Sequence, residues 1–221
     1  MYTIHVVGAS HGRRIGDALK KQKGYGTQFQ VSFNCIGGKK FEELNWPNLK
    51  NIEENDLLII VPFGNDLVER KYVFKSKGII HLKHFLPRDN KHFDRLFQLL
   101  AAKISKINCN VRILTNFYRH FCCRIHDHEG WLSYQNEVNR KIFARFHTSG
   151  KIQVVDHRSL LPLNFKKAKD TKRYRALQTD SVHFADYTVL AEKILQTLSR
   201  TSVRTGDPMR PADRPGEEKN N

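Results

Sequence analysis

Asp56-Leu57-Leu58-Ile59-Ile60-Val61 places five aliphatic residues in a row behind one carboxylate. A strand with one wet face alternates apolar and polar residues. An unbroken aliphatic run of this length suits a strand covered on both faces, and such strands belong to parallel sheets. Upstream, Tyr2–Val7 is a short β-branched run closed by Gly8, and Gln28–Cys35 is a second strand ending at Gly37-Gly38. Between these two, Ile15, Ala18 and Leu19 have the spacing of a helix face, which predicts a helix over 15–21. A short helical segment with Phe41 and Leu44 follows. Downstream, Phe93, Leu96, Phe97, Leu100 and Ile104 predict an amphipathic helix over 91–107. Strands are then expected over 110–115 and 151–155, and helices over 129–146 and 185–198. Strand and helix alternate almost throughout. That rhythm predicts a three-layer α/β/α sandwich around a mainly parallel, five-stranded, flavodoxin-like doubly wound sheet. The stretch 72–88 breaks it, and Gly78-Ile-Ile-His-Leu82 reads either as an extra strand or as a covering loop.

The 221 residues suit one domain, expected over 1–199. From about Arg200 three prolines and an absence of apolar periodicity predict a disordered tail over 200–221. That tail holds five basic and four acidic residues, so nearly all of the net charge of +16 sits on the folded part. A field of this sign attracts polyanions or acidic surfaces without selecting among them. The four cysteines include adjacent Cys122-Cys123 and fit neither a disulfide scaffold nor a zinc ribbon. Reduced thiols, no secretory leader and no apolar stretch near 20 residues lead to the expectation of an intracellular, cytoplasmic protein.

In an open α/β sheet, ligands bind outside the carboxyl ends of the strands. Four groups fall there. Gly8-Ala9-Ser10-His11-Gly12 follows strand one, where a tight turn lifts a hydroxyl beside helix N-terminal amides. The same Ser is equally suited to be an N-cap. Gly37-Gly38 follows strand two, and Phe63-Gly64-Asn65-Asp66 follows strand three. A glycine N–H and an Asn amide are donors of the kind an oxyanion hole uses, and the same residues also make ordinary turns. Asp180-Ser-Val-His183-Phe184 precedes the last helix, so that a carboxylate can orient an imidazole whose other nitrogen faces a serine, or Asp180 can simply cap that helix.

Taken in this order, Gly8-Ala9-Ser10-His11, Gly38 with Leu44 following, Gly64-Asn65-Asp66 and Asp180-x-x-His183-Phe184 resemble blocks I, II, III and V of the SGNH, or GDSL-like, hydrolases, over residues 1 to about 198. The resemblance implies a serine esterase working through an acyl-enzyme without cofactor or metal. Ser10 would be the nucleophile, His183 the general base and Asp180 its orienting carboxylate. Oxyanion donors would be the Ser10 and Gly38 (or Gly37) N–H groups and the Asn65 side chain. Two positions depart from the pattern: Ala9 stands where the family has an acidic residue, and Phe63 replaces a glycine, which would either crowd the pocket or reshape its wall. The basic charge is similar to that of the esterase domains in the first-open-reading-frame proteins of some LINE retrotransposons.

Between 166 and 175 stand Lys166, Lys167, Lys169, Lys172, Arg173 and Arg175 against one Asp, with Tyr174 among them. Such a run is either a solvated face or a contact for RNA phosphates or an anionic membrane surface. Arg119, His120, Arg124, His126 and His128 form a second basic set on the expected site edge. His126 and His128 alternate in a loop, a poor chelate spacing. The rival to the esterase is thus an SGNH-like module that binds RNA or an acidic partner through its basic surface. A nucleotide-binding fold lacks its glycine-rich phosphate loop after strand one.

Overall fold

The computed structural model describes residues 1–70, 73–76, 79–82, 85–87, 89–119, 128–147, 150–160, 177 and 183–202, with backbone alone at 68–87, 128–129 and 198–202. Five parallel strands form the main sheet: β1 (Tyr2–Gly8), β2 (Phe29–Phe33), β3 (Leu57–Val61), β8 (Asn110–Leu114) and β9 (Ile152–Val155), in the order β2-β1-β3-β8-β9. The order reverses between β1 and β3, which creates the crevice expected of a doubly wound sheet. β3 is buried along its whole length. Its residues alternate between two cores, as strand geometry requires. Leu58 and Ile60 join Val111 and Ile113 on one face, whereas Leu57, Ile59 and Val61 join Ile4 and Val6 on the other.

Each face is closed by a pair of helices. Helix α1 (Ser10–Leu19) packs beside α4 (Thr188–Ser202), and α2 (Asn90–Ile104) beside α3 (His128–Phe146). Phe93, Leu96, Phe97 and Leu100 of α2 fill one core, and Ile15, Leu19, Leu190 and Ile194 fill the other. Between Val68 and Pro87 lie two antiparallel strand pairs, β4 (Val68–Arg70) with β7 (Phe85–Pro87) and β5 (Val73–Ser76) with β6 (Ile79–Leu82). The 79–82 segment is therefore a strand. The 41–44 segment is a single 3-10 turn, Phe41–Glu43.

Helix α1 starts five residues before its first aliphatic residue, Ile15. Its sheet-facing side there is glycine. A Cβ on Gly12 would sit 3.0 Å from Cys35 Sγ, and one on Gly16 would sit 2.4 Å from the Phe33 ring. Bare backbone lets the helix lie directly on β2, and this approach fixes where Ser10 stands.

His157, just past β9, is fully buried, with its Nδ1 2.7 Å from Thr115 Oγ1. Burial pushes its pKa down to about 3, outweighing the nearby Asp156 carboxylate. An unfolded histidine titrates near 6.5, so below that pH the unfolded chain gains a proton that the folded chain refuses. Stability from this group is thus whole above pH 6.5 and drains as pH falls toward about 3. Denaturant midpoints should fall between pH 6.5 and 5, above the range of the carboxylates, by up to about 1.4 kcal/mol per pH unit for each buried histidine. A flat midpoint over that interval would contradict the burial.

Candidate active site

The carboxyl ends of the central strands lie side by side, Gly8 against Val61, Ile60 against Ile113, and Leu114 against Val155. Everything that follows a strand at this edge is brought together. Ser10 is the first residue of α1, and Ala9 before it occupies the cap position without any side-chain bond. Ser10 is thus not a capping residue. Its hydroxyl instead meets His183 Nε2 at 2.7 Å, across 173 positions of sequence. A helix leaves its first N–H groups without intrahelical acceptors, and they carry the positive end of its dipole. The pair therefore sits where developing negative charge is favoured.

The loops after β2 and β3 are stitched to each other. Asn65 Nδ2 donates to the Lys39 carbonyl at 2.7 Å, and the Phe41 N–H donates to buried Asp66 Oδ2 at 2.9 Å. Gly38 takes a left-handed φ of +79°, which a side chain would strain. The turn leaves Gly37 against Ser10, since a Cβ there would lie 3.8 Å from Ser10 Cβ, while a Cβ on Gly38 would have nothing within 4 Å. Phe63 does not form the pocket wall as its place in the sequence suggested. Its ring is fully buried against Phe41 at 4.9 Å and Phe97 at 5.4 Å, and its N–H donates to Asn116 Oδ1. An aromatic anchor roots the loop in the core. Ala9 packs on that same core.

Residues that the motif reading passed over complete the neighbourhood. His11 is 5% exposed, stacked on Phe117 with centroids 4.3 Å apart and tilted against His183 at 4.9 Å. Its Nδ1 lies 2.6 Å from Tyr187 Oη, which also accepts from the Phe184 N–H at 3.4 Å. Burial, and then the nearby Arg119 and His183, hold the His11 pKa well below its ordinary value. A neutral His11 puts no second positive charge beside His183 when that ring takes a proton. Tyr187 also ties His11, the residue after Ser10, to Phe184, the residue after His183.

Arg119 is buried rather than part of a basic surface, and its Nη2 donates to Asn65 Oδ1 at 2.6 Å. Asp180 and the basic residues Lys166, Lys167, Lys169, Lys172, Arg173 and Arg175 lie outside the described residues, as do 203–221. Among the described residues, no three His, Cys, Asp or Glu side chains form a metal-holding group. No described helix is long and apolar enough to cross a membrane.

The architecture is shared with solved hydrolases. An acetyl xylan esterase superposes with a TM-score of 0.55 at 18% identity, over 90% of this chain and 100% of that one. It is a fold that esterases use. A lipase/acylhydrolase from Enterococcus faecalis gives 0.58 at 14% identity, over 91% and 97% of the two chains. A Bacillus subtilis protein gives 0.54 at 16%, over 92% of this chain and 57% of its own. The sequence matches no family model and no curated protein. At such identities the likeness is one of fold, and the chemistry rests on the residues themselves.

Proposed function

We propose that the chain is an SGNH-type serine hydrolase acting on carboxylic esters. The observation that carries this is the 2.7 Å contact between Ser10 Oγ and His183 Nε2 at the carboxyl edge of the sheet. Neutral His183 takes the Ser10 proton as Oγ bonds to the ester carbonyl carbon. The carbonyl oxygen becomes an oxyanion, held by the Ser10 N–H, by an N–H of the Gly37-Gly38 turn and by Asn65 Nδ2. The imidazolium then protonates the alcohol oxygen as the C–O bond breaks, leaving an acyl group on Ser10. Water, deprotonated by the same histidine, releases the acid and restores the hydroxyl. Asp180, three residues before His183, supplies the carboxylate that fixes the imidazole tautomer.

The reading is tested by hydrolysis of a p-nitrophenyl ester series of increasing acyl length. Turnover by the wild-type protein is expected, and the chain-length profile defines the acyl pocket. A folded protein that turns over none of the series contradicts the proposal. The net charge of +16 draws anions to the surface, so the salt dependence of kcat/KM reports whether an anionic ester is preferred.

A further inference from the structure

We infer that Arg119 is the residue that sets and polarises the oxyanion-hole amide of Asn65, an inference that rests on the esterase reading of Ser10. A carboxamide has a donor end and an acceptor end of nearly the same shape, so its neighbours decide its orientation. Arg119 only donates. The Asn65 atom 2.6 Å from its Nη2 must therefore be the acceptor Oδ1. The donor end then faces the Gly37–Lys39 turn, where one Nδ2 hydrogen goes to the Lys39 carbonyl at 2.7 Å. The second Nδ2 hydrogen has no partner among the described residues, and it is the one a substrate oxyanion would take. With the amide turned over, Oδ1 would face both a carbonyl and the developing negative charge.

Charge adds to geometry. Arg119 is 7% exposed as a residue, so the field of its guanidinium at Oδ1 is poorly screened. A cation donating to the carbonyl end of an amide draws electrons from nitrogen and strengthens the N–H at the other end. Gly64, next to Asn65, leaves room for this approach, since even a Cβ there would stand 3.5 Å from Nη2. The backbone of Arg119 is held independently of its side chain. Its N–H donates to Gln135 Oε1 at 2.8 Å, and its carbonyl accepts from Trp131 Nε1 at 2.7 Å, both residues of α3. Replacing the side chain therefore leaves these anchors in place.

A double-mutant cycle of Arg119→Met with Asn65→Ala tests this, with Arg119→Lys beside it and p-nitrophenyl acetate as substrate. Removing one oxyanion donor typically costs about 10²–10³ in kcat, which sets the expectation for Asn65→Ala. Arg119→Met should lower kcat by about 10- to 100-fold, as a fraction of that effect, with KM little changed. Arg119→Lys, which keeps a cationic donor, should recover part of the loss. In the Asn65→Ala background, Arg119→Met should have less than about threefold further effect, because its route to the oxyanion is gone. Equal losses in both backgrounds, a loss confined to KM, or an unchanged kcat would each overturn the inference. A wild-type protein without Ser10-dependent turnover would overturn the esterase reading instead. Should Arg119→Met not fold, Arg119→Lys in the two backgrounds carries the same comparison.

Discussion

Ser10→Ala is expected to lower ester turnover by roughly 10⁴–10⁶-fold while leaving the fold in place. On the proposed mechanism the size follows from losing the atom that would form the acyl bond, which leaves only whatever rate the proposed oxyanion donors give to a water attack. The preservation of the fold follows from the local geometry. Ser10 is the first residue of α1 with no cap bond to lose, and its hydroxyl contacts His183. Its removal should change unfolding free energy by less than about 1 kcal/mol. A capping serine would behave in the opposite way, with a stability loss of about 1 kcal/mol and activity retained. Steady-state hydrolysis and a thermal melt on the same sample therefore distinguish the two roles that the sequence left open.

His183→Ala is the second large effect, and it is expected to match Ser10→Ala in kcat. In the proposed mechanism the imidazole both removes the serine proton and returns it to the alcohol, so without it Ser10 would be left a neutral hydroxyl. Groups that act as one unit do not add. The Ser10→Ala/His183→Ala double variant should therefore be no slower than the worse single variant, within about threefold. If the double variant fell by the product of the two single losses, Ser10 and His183 would be acting separately, and the contact between them would not be catalytic.

The fold was readable because its signals are local. The run at 57–61 needs two covered faces wherever it sits, and the spacing of Phe93, Leu96, Phe97 and Leu100 marks a helix without reference to its partners. The start of α1 was not readable from periodicity. Its first turn buries His11 and Gly12, and its close approach depends on Phe33 and Cys35 of another segment. Of the candidate site, Ser10, Asn65 and His183 stand out in the sequence as a spaced pattern. Arg119 carried only the signal of a basic residue among others, and its burial depends on Asn65, Gln135 and Trp131, which arrive from two other elements. Asp66 read as one more motif residue, although its carboxylate fastens the loop after β2 to the loop after β3. Phe63 suggested a pocket wall because a motif shows which position is altered and not which way the side chain turns.

The most direct test of a serine nucleophile is covalent capture. The folded protein is treated with an alkyl fluorophosphonate, digested with trypsin and mapped by mass spectrometry. A single adduct on Ser10 is expected, in the peptide Met1–Arg13, absent from Ser10→Ala and much slower to form in His183→Ala. Folded protein that stays unlabelled, or carries the label on another residue, would contradict the assignment of Ser10.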